Sequence, residues 1–337
     1  MKRVGNLFDK IFTKEALFQA YLDARKGKRS KRSTFEFETN LGGNLAQLLD
    51  EIHGGIYHPR PYHTFFVYEP KRRLIHAPAF RDRVVQHAIY RVIAPLFDKT
   101  FVADSYACRI GYGTHRAANA VQKILQTVDP ASYVLQLDIR KFFYRIDRNI
   151  LRAVIEKKIK DARLIDLMML FADHADTTGI PIGNLLSQLY ALIYLNTVDQ
   201  FIKRTLKVKY YLRYVDDMLL IGLTREQALA HKAAIIDYLQ TNLRLELSRS
   251  SLYRAHKGIN FVGYRTWRRR RFIRKHSLYK FRHSVLRGDD LAVISILGHA
   301  KNTASLPYMI NLIKEHGHDL SLPKSIRRLY HLSGQPS

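Results

Sequence analysis

Residues 211–222 read YLRYVDDMLLIG. Two apolar runs, 210–214 and 218–222, flank Val215-Asp216-Asp217 in the pattern of a β-hairpin, although its turn lacks the usual Asn-Gly. Adjacent carboxylates in an apolar hairpin are costly. Like charges a few ångströms apart raise one another's pKa, and apolar surroundings raise it further. A bound cation removes the conflict, whereas the dipeptide alone also fits an ordinary acidic turn. A third carboxylate changes the balance. Asp138 lies 78 residues before Asp216, at the end of the apolar stretch 133–137, YVLQL. A strand-end Asp plus a hairpin Asp-Asp suits two-metal phosphoryl transfer, in which one ion activates a hydroxyl and the other holds the leaving oxygen. Magnesium prefers hard oxygen ligands and keeps some water, so two or three carboxylates suffice.

Outward from these residues, strands and helices interleave without regular βαβ units, which predicts an α+β fold. Thr13 predicts the N-cap of a helix to about Ala24, and 41–52 reads as another helix. Aromatic alternation predicts a strand over 62–68, a turn over 69–73 and a returning strand at 74–76. Helices are expected over 81–97, 114–127 and 148–172, and from Asn184 to Leu206. Thr224 and Gln227 form a capping box for a helix to about Leu243. One further strand is expected over 258–267, and from Arg268 onward the chain turns strongly basic, which places a domain boundary there.

The whole-chain charge restricts the partners. Lys plus Arg number 56 against 29 Asp plus Glu, a net +27 over 337 residues. Solubility of a small domain needs only about 2–8 net charges. So large a surplus repels itself unless a polyanion neutralises it, and RNA or DNA fits best. A single cysteine, Cys108, excludes an internal disulfide and any multi-cysteine zinc site. No apolar stretch follows Lys2 and Arg3, and no run of about 18 apolar residues occurs, so neither a secretory signal nor a membrane-spanning helix is expected. A cytoplasmic location fits these features.

Residues 211–222 resemble the Tyr-x-Asp-Asp box of reverse transcriptases, and 137–147, LDIRKFFYRID, resemble the box that supplies the first catalytic Asp. Residues 70–87, PKRRLIHAPAFRDRVVQH, and 105–115, SYACRIGYGTH, resemble fingers boxes of bacterial reverse transcriptases, and 258–264, GINFVGY, resembles their primer grip. Five boxes in order make the resemblance specific. It implies a right-hand polymerase: a basic N-terminal extension over 1–60, fingers over 61–130, a palm with an antiparallel sheet over 131–267 (carrying a fingers insertion near 148–180), and a helical thumb over 268–337.

The resemblance also implies roles. Asp138, Asp216 and Asp217, with Ile139 counted in the metal set, would hold two Mg2+ ions, Mn2+ being able to substitute. Lys71, Arg73, Phe143, Ile182 and Gln188 would surround the incoming dNTP, with Phe143 as the steric gate against a ribose 2′-hydroxyl. Phe261, Val262, Gly263 and Tyr264 would grip the primer terminus. Arg72, Arg109, Arg268, Arg269, Arg270, Arg271, Arg274 and Lys275 would contact nucleic acid. Plainer readings stand beside these: core packing for Phe143 and Ile182, a solvated turn for residues 71–73, a structural role for Arg109.

Residues 180–188, IPIGNLLSQ, depart from the Gln-Gly and Ser-Pro of most reverse transcriptases and resemble those of diversity-generating retroelements. Those enzymes copy a template RNA with frequent errors at adenines. A Gln near the nascent pair can orient a nucleotide by hydrogen bonding, whereas Ile182 can only pack, and lost polar readout lowers discrimination. The resemblance implies template RNA, an RNA–cDNA duplex and a pentameric accessory variability protein as partners, and no membrane. Residues 26–32 and a basic helix over 152–160 are candidate partner surfaces. The alternatives are a retron, group II intron-like or antiphage-defence reverse transcriptase of ordinary fidelity, and a non-catalytic RNA-binding protein on a polymerase fold. About 70 residues follow the primer grip, too few for a maturase and endonuclease extension.

Overall fold

Asn184 decides how the longest apolar segment folds. Its side-chain oxygen accepts from the Ser187 amide at 2.9 Å and starts the helix Leu185–Gln200. That helix is apolar nearly all round, and Leu186, Leu189, Tyr190, Ile193 and Tyr194 are buried on its several faces. A helix of that kind belongs in a protein core. The computed structural model describes residues 3–68, 72–173 and 178–316. Its strands are β1 (His63–Val67), β2 (Arg73–Ala77), β3 (Tyr133–Ile139), β4 (Tyr210–Tyr214), β5 (Asp217–Leu223), β6 (Leu247–Arg254), β7 (Ile259–Phe261), β8 (Tyr264–Thr266) and β9 (Arg271–Ile273). They form three sheets among the described residues: β1-β2, β4-β5-β3-β6 and β7-β8-β9.

The chain folds as two units. The first comprises Met1–Cys108, Asp138–Lys207 and Ala233–Arg249. It is mostly helical, with Phe80–Asp98 packed against both Lys14–Arg25 and Leu185–Gln200, and it carries the β1–β2 hairpin. The second comprises Arg109–Leu137, Val208–Lys232 and Ser250–Ser337. It holds most of the four-stranded sheet, all of β7-β8-β9, and the helices Lys275–Arg287, Asp290–Ala300 and Leu306–Glu315. Those helices close a core around Tyr264, Phe281, Val285, Leu297 and Met309. Arg268 lies inside this unit, so the composition shift there is not a boundary between the two units.

Two expected elements fold differently. The helix expected over 148–172 is two helices, Arg148–Glu156 and Ala162–Leu170. Between them the chain pairs with the N-terminal segment: the Val4 amide donates to the Lys158 carbonyl and the Lys160 amide to Val4, each at 2.8 Å. Asp161 then caps the second helix and also accepts from the Leu7 and Phe8 amides. The basic helix expected over 152–160 therefore stops at Glu156. The single strand expected over 258–267 is instead the β7–β8 hairpin, turning at Val262-Gly263, where both φ values are positive.

Candidate active site

β4 and β5 pair with Tyr214 opposite Asp217, so Val215-Asp216 forms the two-residue turn. Val215 has φ 55°, an uncommon state for a β-branched side chain. Arg213, 1% exposed, donates to the Val215 carbonyl at 3.0 Å and braces the turn from within. Gln136 fixes the second carboxylate. Its amide donates to Asp217 Oδ1 at 3.0 Å and to the Asn260 carbonyl at 3.1 Å, while its oxygen accepts from the Tyr253 hydroxyl at 3.1 Å. One side chain thereby connects the hairpin, β6 and β7. Asp138 lies two residues farther along β3, the strand next to β5 in the sheet, and its carboxylate accepts from the Ser248 hydroxyl.

The nucleotide-site candidates in the first unit share one backbone frame. The Ile180 amide donates to the Phe143 carbonyl at 2.9 Å, and the His76 amide on β2 donates to the Ile182 carbonyl at 2.7 Å. Arg73, exposed, begins that same strand. Phe143 is half-buried beside the fully buried Phe142, their centroids 5.4 Å apart. Gly183 has φ 114°, and a Cβ there would stand 2.7 Å from Ile75, so only glycine lets the loop lie this close to β2. Gln188 is exposed on the first turn of the helix that Asn184 caps. Arg72 lies over the Phe66 ring at 4.0 Å. Lys71 lies outside the described residues.

In the second unit the primer-grip candidates present backbone rather than rings. Phe261 and Tyr264 are buried, and the turn between them exposes Val262 and Gly263 in part. The Tyr264 hydroxyl donates to the His299 carbonyl at 2.8 Å and lies 3.0 Å from Nδ1 of both His115 and His299. Burial pushes its pKa up to about 12. Arg274, whose amide donates to Gly263 and whose side chain donates to Asn260, and Lys275 open the helix Lys275–Arg287 next to this turn. Arg271 has a different setting. It is 4% exposed and donates to Asn119, Ala118 and Gln122, so its guanidinium serves the protein itself rather than nucleic acid. Arg109 lies over the Tyr112 ring at 4.0 Å.

The model of the reverse transcriptase (RNA-dependent DNA polymerase) family matches residues 68–266, well over half of the chain. The chain belongs to the reverse transcriptase family. Its mixed α+β architecture is therefore the right-hand polymerase fold, and the activity of the domain is RNA-directed DNA polymerisation. This reverse transcriptase is 27% identical over 282 residues to protein YkfC of Escherichia coli K12, across 69% of the chain and 74% of that protein. It is 26% identical to the group II intron-encoded protein LtrA of Lactococcus lactis over 178 residues, 49% of the chain but only 29% of LtrA. Among solved structures, telomerase from Candida albicans in complex with a fragment of telomeric RNA aligns with a TM-score of 0.48 and 11% identity, over 83% of the chain and 67% of that protein.

A reverse transcriptase domain implies catalysis dependent on a divalent metal. Among the described residues, no three acidic, His or Cys side chains are gathered closely enough to hold an ion. The donors present are carboxylate oxygens, the kind that magnesium takes one or two at a time while completing its octahedron from water and phosphate. The fit is thus in ligand chemistry and not in a closed protein cage. No described helix is long and apolar enough to cross a membrane. Gln136, Ser248, Tyr253 and Arg213 were not among the residues expected from sequence. Gln136 alone had a local signal: it is the polar residue of an apolar strand, two positions before Asp138 and so on the same face.

Proposed function

We propose that this reverse transcriptase makes error-prone cDNA from a retroelement template RNA, in the manner of diversity-generating retroelements, with Asp138, Asp216 and Asp217 as its metal-binding carboxylates. The carrying observation is Ile182. An apolar residue occupies a loop bonded to the strand that begins at Arg73, and the loop is held there by Gly183. In this reading Arg73 neutralises the triphosphate, Phe143 limits the sugar, and Ile182 packs without reading base edges. Mg2+, when bound, lowers the pKa of the attacking hydroxyl and neutralises the leaving phosphate. Asp217 keeps its orientation through Gln136, and Asp138 through Ser248. The reading includes template RNA, an RNA–cDNA duplex and a pentameric accessory protein as partners, acting in the cytoplasm.

A second reading is a group II intron-like reverse transcriptase of ordinary fidelity, and similarity to the group II intron-encoded protein LtrA supports its intron-like part. Primer extension on an RNA template separates the two. The first reading expects misincorporation concentrated opposite template adenine. Accuracy opposite adenine equal to that at the other three bases sinks it. In the same assay Asp216→Ala with Asp217→Ala abolishes cDNA synthesis, and survival of synthesis refutes the assignment of the carboxylates.

A further inference from the structure

A cleft of about 560 Å³ opens in the second unit, with Leu125, Pro130, Trp267, Phe272, Arg269 and Arg270 among its lining. Ligand-holding clefts run from roughly 300 to 1,000 Å³. The β8–β9 hairpin builds it. The Trp267 amide donates to the Arg270 carbonyl at 2.8 Å and leaves Arg268-Arg269 as the turn. The Trp267 indole covers Gly258, where a Cβ would stand 2.6 Å from the ring, and meets Phe272 edge-on at 5.9 Å. Arg268 is tethered, donating to the Gln126 carbonyl at 2.9 Å. Arg269 and Arg270 are exposed and pair with no carboxylate among the described residues.

This cleft lies away from the primer grip. Gly263 precedes β8 and Trp267 follows it, about 13 Å apart at the usual rise of a strand, and Arg269 lies in the turn beyond Trp267. Pro130 precedes β3, six residues before Gln136, the partner of Asp217. Two half-buried rings, an apolar floor and unpaired guanidinium groups match a ligand having both ring faces and phosphates. An acidic peptide would use the charges and leave the rings without a counterpart. A duplex would keep its bases stacked and out of reach, whereas single-stranded RNA can splay a base onto an aromatic surface. We propose that the cleft is a second RNA site, taking an unpaired base against Trp267 and Phe272 with flanking phosphates on Arg269 and Arg270. It would hold a single-stranded part of the RNA outside the copied duplex. The proposal does not depend on the fidelity of the enzyme.

Trp267 is the sole tryptophan of the chain, so its emission reports on this cleft alone. The full chain is titrated with an unstructured single-stranded RNA of about ten nucleotides, within the span a small module covers. The expected result is saturable quenching that persists when a blunt RNA–DNA hybrid is already bound. Arg269→Ala with Arg270→Ala, shown folded by an unchanged thermal transition, weakens RNA binding about ten-fold and lowers the salt slope by about 1.4, the share of two phosphates on a single strand. If that variant does not fold, Arg269→Gln and Arg270→Gln singly each lower the slope by about 0.7. Emission that stays constant while the RNA binds, quenching abolished by the hybrid, or an unchanged salt slope in folded variants overturns the proposal. Equal quenching by an oligoglutamate peptide also overturns it and makes the cleft a protein-docking surface.

Discussion

Gln136 holds Asp217, the Asn260 carbonyl and the Tyr253 hydroxyl through one side chain, so it fixes the orientation of a carboxylate. Groups that orient metal ligands typically matter by 10–100-fold in affinity or rate. Gln136→Leu is therefore expected to slow cDNA synthesis about 10–100-fold and to raise the Mg2+ concentration needed for half-maximal rate. A merely structural role would lower the thermal transition and leave that Mg2+ requirement unmoved. The two strained valines are the residue-scale counterpart of this tuning. Val215 and Val262 occupy positive φ at the tips of the β4–β5 and β7–β8 hairpins, where glycine or asparagine would be easier. Such outliers concentrate at working sites, and their neighbours fix them: Arg213 from beneath the first turn, His299 against Gly263 in the second.

Asn184 acts on the scale of an element. It caps the central helix of the first unit, and its amide also donates to the Phe171 carbonyl at 3.0 Å and the Tyr62 hydroxyl at 3.1 Å. Asn184→Ala removes the cap and leaves a buried carbonyl without its donor. A loss of about 2–3 kcal/mol is expected, read as a lower urea midpoint at unchanged slope. The cap was legible as the polar residue opening an apolar run. Other elements were not legible. The helix Arg32–Glu38, RSTFEFE, alternates like a strand, and long-range packing makes it a helix: Phe37 meets Tyr21 at 6.3 Å and Phe80 at 5.3 Å. The break within 148–172 was hidden for the same reason, because Val4, far away in sequence, supplies the pairing that ends the first helix.

On the scale of the molecule, the proton balance follows burial. Desolvation holds His87, His231 and His299 below the ordinary histidine pKa, so the folded chain prefers them neutral. The unfolded chain takes up protons at these sites near pH 6.5, and the folded chain only at lower pH. Their contribution to stability is full above that value and declines as the pH falls through it. The thermal transition is expected to move down between about pH 7.5 and pH 5.5, and replacing all three by Gln is expected to flatten that dependence. A transition that rises over this interval would show that other groups dominate.

The sequence by itself determined the family and the order of its boxes. The aspartates Asp138, Asp216 and Asp217 and the five ordered boxes sit in contiguous stretches, where local pattern carries the information, and the surplus of 27 positive charges is a sum that needs no structure. The tertiary structure decided which residues meet. It put Gln136 on Asp217, withdrew Arg271 into the protein, and divided one basic segment into two places: Arg274 and Lys275 beside the β7–β8 turn, Arg269 and Arg270 past the far end of β8. A run of like residues has one composition but several directions. Which way each side chain points depends on strand register and on partners more than a hundred residues away, and no local pattern records those.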